Sequence, residues 1–261
     1  MPDTDLPDGM ALHIAREGGV LSLTLDYPAR RNALAVPLRE RMADVLEEAE
    51  GDPAIRAIVV SGASGNFCSG GDISGMDVRD ALAGRERLRR AHRSIRLLAA
   101  GTKPVVAAVE GWCVGAGLSL ACACDLIVAA TDARFMAGFG RVGLMGDLGL
   151  PFTLPARIGA GRARKMLMLH TQVAAEEAER IGLVEEVVPR GQALPVALER
   201  ARFLATQAPT PMALTKAMLT AGLDAALETE RHFQTTLFLS ADHQEGRAAF
   251  LEKREPKFTG G

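Results

Sequence analysis

Apolar and polar positions alternate over residues 20–25, and Asp26, Tyr27 and Pro28 close the run. A two-residue period followed by a turn signal predicts a half-buried strand. Residues 37–50 change to helical spacing, with Leu38, Met42, Val45 and Leu46 on one side. A second strand is predicted over 54–60, closed by Ser61 and Gly62, and a helix over 85–99. Residues 104–109 read as a buried strand, 115–124 as a buried helix and 126–130 as a further strand. Strand and helix alternate, which predicts an α/β core with parallel sheet covered on both faces. Beyond Pro195 the pattern is helical only, over 196–206, 211–221, 224–239 and 244–253. A soft boundary there divides the chain into a core, residues 1–195, and a helical C-terminal region, residues 196–261.

Composition narrows the classes. A chain of 261 residues that is 48% hydrophobic can bury one large domain, or one domain with an appendage. A net charge of -2 without long basic runs argues against a dedicated nucleic-acid binder. The densest basic segment, Arg85 to Arg96, is interleaved with Leu88, Ala91, Ile95 and Leu97. It reads as a helix with a solvated face and leaves room for a local role near an anionic ligand. No apolar run reaches the length of about 18 residues that a membrane span needs. Met1 to Met10 is polar and acidic, unlike the core of a signal peptide. Cys68, Cys113, Cys122 and Cys124 lack Cys-x-x-Cys spacing and are expected as free, buried thiols. The five histidines are scattered, so no metal site is indicated. These features fit a reducing, cytoplasmic setting.

Candidate chemistry lies in two glycine-rich stretches. In Gly111–Trp112–Cys113–Val114–Gly115–Ala116–Gly117–Leu118–Ser119, an apolar run leads into a helix start. Gly115 and Gly117 lack Cβ, so a ligand can approach the main chain there. Free amides at a helix start carry partial positive charge and can hold an oxyanion. Phe67–Cys68–Ser69–Gly70–Gly71–Asp72–Ile73 offers a second amide in a turn after a strand. Either stretch, taken alone, reads first as a turn that serves only to reverse the chain. Gly117 to Ala121 has the spacing of a nucleophile elbow, but it falls inside a predicted helix, which disfavours a serine hydrolase. Gly159–Ala160–Gly161 is no dinucleotide fingerprint.

Together and in this order, the motifs resemble the crotonase superfamily, the enoyl-CoA hydratase/isomerase family. Arg31–Asn32–Ala33–Leu34 is similar to its early "NAL" element, and Phe67 to Ile73 to its "F-x-x-G-x-D-[IL]". Gly111 to Ala121 with Cys124–Asp125 is similar to "G-x-x-x-G-G-G…CD". Ala175–Glu176–Glu177–Ala178 with Gly182–Leu183–Val184, and Phe250 to Arg254, resemble two later elements. The resemblance covers nearly the whole chain. It implies an α/β spiral of strand–strand–helix repeats, with a helical tail that mediates trimers, or hexamers made of paired trimers. It implies an acyl-CoA thioester as substrate, with coenzyme A part of that substrate and no separate cofactor. The thioester carbonyl would sit between the amides of Gly71 and Ala116.

The resemblance also constrains the reaction. The family's two hydratase glutamates fall at Ser119 and Phe139, and neither residue is acidic. Ser119 cannot act as a general base at neutral pH without a helper, and Phe139 cannot transfer a proton. Gly143 to Leu150 instead resembles the family's "G-L-x-x-D-x-G" form, which puts a catalytic aspartate at Asp147. An aspartate among apolar neighbours is expected to have a raised pKa. Its alternative is a turn or helix-capping residue before residues 150–157. An aromatic dehalogenase would need a histidine where Arg96 stands. The expected reaction is movement of a double bond in an enoyl thioester through an enolate. A hydratase with atypical groups and a non-catalytic acyl-CoA-binding protein stay open beside it. Main-chain contacts near Asp72, Ile73 and Ser74 are expected at the pantetheine entrance, with the Asp72 side chain expected mainly to cap or fix its loop. Ser119, Phe139 and Phe250 are expected against the substrate. Arg31 and Lys253 are candidates for the CoA phosphates or adenine, and equally for plain surface charge.

Overall fold

A computed structural model describes residues 4–261; the start of the polar segment read from Met1 lies outside them. In chain order come β1 (Thr4–Asp5), β2 (Ala11–Glu17), β3 (Val20–Asp26), α1 (Val36–Gly51), β4 (Ala57–Gly62) and α2 (Ala81–Ala100). Next are β5 (Val105–Val109), β6 (Trp112–Val114), α3 (Ala116–Cys122), β7 (Leu126–Ala130), β8 (Arg134–Met136) and α4 (Leu150–Leu169). The chain closes with β9 (Val173–Ala174), α5 (Ala175–Arg180), β10 (Glu186–Val188), α6 (Ala193–Thr206), α7 (Pro209–Leu219), α8 (Leu223–Phe238) and α9 (Ala241–Glu252).

The main sheet runs β1-β2-β3-β4-β5-β7-β10. It is antiparallel up to β3 and parallel from there on. The central strands are apolar throughout because both faces are covered. Ile58, Val60, Ala107 and Ile127 belong to the larger core, beneath α1 to α3. Their neighbours Val59, Val106 and Val128 face the other way, toward α6. Ala193, Ala197 and Ala201, at i, i+4 and i+8 on α6, let that helix pack closely on the sheet.

The spiral follows from repeated pairs of strands. β5–β6–α3 and β7–β8–α4 are successive turns, with β6 and β8 paired in a second sheet of order β6-β8-β9. The preceding turn adds only a bridge at Cys68 to that second layer. Cys68 pairs with Cys113, which pairs with Phe135. The expected α/β spiral is the observed architecture.

Several boundaries differ from expectation. β4 begins at Ala57 rather than 54, because Asp52 caps a turn there: its Oδ1 accepts the Ala54 N–H at 2.9 Å and its carbonyl the Ile55 N–H at 3.1 Å. α2 begins at Ala81, four residues early, with the Asp80 carboxylate accepting the Ala83 N–H at 2.8 Å. α6 spans the boundary read at 195 and packs on the sheet, so the region that leaves the sheet comprises α7 to α9. α8 lies along α2, and α9 covers residues 139–142. Among the described residues no helix is long and apolar enough to cross a membrane. Nor does any group of three or more His, Cys, Asp or Glu lie together as a metal site.

Candidate active site

The two glycine-rich turns lie side by side. Cys68 N–H donates to the Trp112 carbonyl at 2.9 Å, and Val114 N–H donates to the Cys68 carbonyl at 3.0 Å. The segment leading to Gly71 therefore runs alongside the one leading to Ala116. At Gly117 a Cβ would fall 2.4 Å from the Cys68 carbonyl oxygen, so no larger residue permits this approach. Gly115 turns the chain into α3 with φ 53 and ψ −118. Ala116 is the first residue of that helix, so its N–H has no intrahelical acceptor. At the other turn, Leu34 N–H donates to the Gly70 carbonyl at 2.7 Å. Gly71 is the residue bridged to Leu34, and in a parallel bridge its own N–H points away from that partner. Each turn thus leaves one backbone N–H, that of Gly71 and that of Ala116, without a backbone acceptor among the described residues.

Gly71 and Ala116 both line a cavity of about 770 Å³, a size suited to a small-molecule site. Arg31, Asp72 and Ile73 border it as well, as do the buried Phe139 and Asp147. Phe250 and Lys253, at the end of α9, complete the wall. Two residues expected at the substrate do not line it: Ser74 and Ser119. Ser74 is turned onto Asp72, whose Oδ1 accepts its N–H at 3.1 Å and its hydroxyl at 2.7 Å. Asp72 thereby caps its own loop. Arg247 on α9 fastens the same loop through the Ile73 carbonyl at 3.2 Å and the Ser74 carbonyl at 3.1 Å.

Ser119 is fully buried inside α3 and joins the two halves of the site. Its hydroxyl donates to the Asp147 carbonyl at 2.8 Å, with the Gly115 carbonyl at 3.2 Å. A serine in mid-helix is also far from the strand-to-helix turn of a nucleophile elbow.

Asp147 is 9% exposed. Its Oδ2 accepts from Gln234 Nε2 at 3.0 Å, while buried Oδ1 has no hydrogen-bond partner among the described residues. Burial pushes the carboxyl up to about 7, and the neighbouring charge of Glu230 adds to the rise. The Gln234 hydrogen bond and the guanidiniums of Arg39 and Arg87 oppose it. Such a group is divided between acid and base near neutral pH, as a proton shuttle requires.

The loop that carries Asp147 is gripped from α8. Glu230 Oε1 accepts the Leu148 N–H at 2.8 Å, and Oε2 accepts the Gly149 N–H at 2.7 Å. His92 Nε2 on α2 meets the same Oε1 at 2.7 Å. Leu148 is held at φ 54, in the left-handed region that a leucine seldom adopts. One turn along α8, Gln234 accepts the Met145 N–H and donates to the Met145 carbonyl, both at 3.3 Å.

The family model described as enoyl-CoA hydratase/isomerase matches residues 15–261. The chain belongs to the enoyl-CoA hydratase/isomerase family. It is 36% identical over 252 residues to 1,2-epoxyphenylacetyl-CoA isomerase of Escherichia coli, covering 94% of this chain and 96% of the relative. It is also 36% identical to the 2,3-dehydroadipyl-CoA hydratase of E. coli, with 95% and 98% covered. The crystal structure of an enoyl-CoA hydratase from Mycobacterium avium superposes with a TM-score of 0.86 at 34% identity, over 95% of this chain and 98% of that one. Relatives so named do different chemistry on acyl-CoA thioesters.

Within this hydratase/isomerase-family chain, sequence reasoning missed Arg39, Arg87, His92, Glu230 and Gln234. The first two line the cavity, and the others hold its aspartate loop. Arg87 was within the basic segment given a possible anionic-ligand role. Glu230 and Gln234 carried one available signal, polar residues spaced i, i+4 on the apolar side of a predicted helix.

Proposed function

We propose that the protein is an acyl-CoA isomerase, which moves a double bond in an enoyl thioester with Asp147 as the acid/base. The observation that carries this reading is Asp147 itself. It is a buried cavity carboxyl with a raised pKa and one unpartnered oxygen. The other cavity carboxylate, Asp72, is engaged in capping its loop. The isomerase named among the relatives supports the same reading.

In the proposed reaction, the Asp147 carboxylate takes a proton from C2 of a 3-enoyl thioester. The electron pair delocalises onto the thioester oxygen, where the amides of Gly71 and Ala116 stabilise it. The same proton returns from the carboxyl to C4, giving the 2-enoyl thioester. The double bond is redistributed without net oxidation, so no redox cofactor takes part. Coenzyme A enters as part of the substrate, with Arg31 and Lys253 near its phosphates. One base suffices because the proton removed and the proton delivered are the same.

The test is Asp147→Asn, which keeps shape and hydrogen bonding but removes the base. Isomerisation of a 3-enoyl-CoA should fall by about 10²–10⁴. Exchange of acyl-chain protons with deuterated water should fall with it, while acyl-CoA binding persists. Turnover within a few-fold of the unaltered protein would make Asp147 a turn residue. The dehydroadipyl-CoA hydratase among the relatives keeps a second reading in view, water addition by unfamiliar groups. With serine and phenylalanine at positions 119 and 139, crotonyl-CoA should hydrate slowly or not at all. Robust formation of the 3-hydroxy thioester would restore the hydratase.

A further inference from the structure

Two arginines line the cavity, Arg39 on α1 and Arg87 on α2. Both lie close enough to Asp147 to feel its charge, so they reach toward the reacting end of the cavity, and Arg87 feels Asp72 as well. Arg39 is only 6% exposed. Its Nε is buried without a hydrogen-bond partner, and none of its donors meets an acceptor among the described residues. Arg87 has one, the Gly75 carbonyl at 2.9 Å from Nη1. Neither forms an ion pair with a carboxylate among the described residues, Asp147 included. Two other arginines of α2 behave differently: Arg89 and Arg93 are bonded to Glu86, Asp44 and Glu47.

A buried guanidinium with unused donors is costly, because its charge has left water without gaining a partner. Arg39 is such a cation, and half-buried Arg87 sits near enough to weaken its hold on a proton further, after burial itself and against the opposing charge of Asp147. Apolar residues at both positions would serve a purely hydrocarbon acyl chain better. The planar fork of an arginine matches a carboxylate with two parallel hydrogen bonds. Asp147 cannot be that partner, since its Oδ2 is bonded to Gln234 and its Oδ1 to nothing.

Resting on the acyl-CoA reading above, we propose that Arg39 and Arg87 form a subsite for a carboxylate at the far end of the acyl group. The favoured ligands are then CoA monothioesters of dicarboxylic acids. Adding that anion supplies acceptors for the unused donors and offsets the two cations inside one apolar-walled cavity.

The experiment compares saturated thioesters matched in length, so that binding is read without turnover. Glutaryl-CoA is set against pentanoyl-CoA and adipyl-CoA against hexanoyl-CoA, by calorimetric titration at pH 8. The dicarboxylic member of at least one pair should bind about 10–100-fold more tightly. Arg39→Met and Arg87→Met should each bring that ratio toward one, and Arg39→Lys should retain only part of it. Thermal melting of each variant checks that it is folded. If both arginines serve only to offset Asp147, the variants move the pH profile of turnover and leave the ratio unchanged, which overturns the subsite. Equal affinities within both pairs overturn it as well, while leaving the acyl-CoA reading intact. Binding of none of the four thioesters would overturn both.

Discussion

Asp147 combines burial, a like charge at Glu230 and a single side-chain hydrogen bond, and its pH behaviour follows. As a base it must be unprotonated, so kcat/KM for a 3-enoyl-CoA should rise with pH through about 7 and level off above. The same shift costs stability. A carboxyl near 3.8 when unfolded and about 7 when folded favours the protonated native state. Stability from this group is full below 3.8, falls as pH rises toward 7, and is constant beyond. Asp147→Asn lacks that penalty. It should melt higher than the unaltered protein at pH 8, by about 10 °C if the whole shift is expressed, and the gap should close toward pH 4. Scanning calorimetry at the two pH values checks the sign. The aspartate was legible in the sequence because the "G-L-x-x-D-x-G" pattern is local. Ser119 was misread for the same reason: its position in the motif was visible, but its bond to the Asp147 carbonyl joins residues 28 apart.

α8 and α7 show what a helix contributes once it leaves the sheet. Each was legible as a helix to within two residues, since apolar spacing is a local property. What their inward polar residues grip was not, because Glu230 meets residues 81 to 138 positions away. Glu230→Gln removes the charge that helps raise Asp147 and keeps part of the grip on its loop. The acid limb of the pH profile should move to lower pH, and the plateau should fall by about 10-fold. A merely structural role would lower the plateau without moving the limb. On α7, Lys216 is 5% exposed and bonds the Leu98 carbonyl at 2.8 Å, the Lys103 carbonyl at 2.9 Å and Asp125 Oδ2. Lys216→Met strands the Asp125 carboxylate, so chemical denaturation at pH 7 should show a loss of about 3 kcal/mol. Burial already raises Asp125, and losing its cation raises it further. Protonation at low pH relieves the stranded charge, so the deficit should shrink as pH falls toward 4.

At the scale of the whole molecule, the alternation of strand and helix was legible from periodicity, whereas the spiral was implied only by the family that the ordered motifs resemble. The short strands β6, β8 and β9 were not legible, since two or three residues are too few to show a period. Nor was the place of α6, whose alanines give no hint of which surface they meet. The apolar faces read in the tail divide in the structure. Phe238 and Ala249 are covered by the chain itself, whereas Phe233 (53%), Phe250 (57%) and Leu251 (46%) stay exposed. Met218 and Leu219 on α7 are exposed as well. Together these residues put exposed apolar side chains on α7, α8 and α9, and an apolar face of that kind is a candidate for contact with a neighbour. We propose that copies of this chain cover it, as a trimer or as paired trimers. Light scattering at micromolar concentration should then give three or six times the 27.6 kDa of one chain. Phe233→Glu combined with Leu251→Glu should lower that mass, because each buried carboxylate would lack a partner. Phe250 and Lys253 border the cavity from α9, so disassembly should also loosen acyl-CoA binding. A clean monomer of the unaltered protein that binds acyl-CoA would show that the tail completes the site without a neighbour.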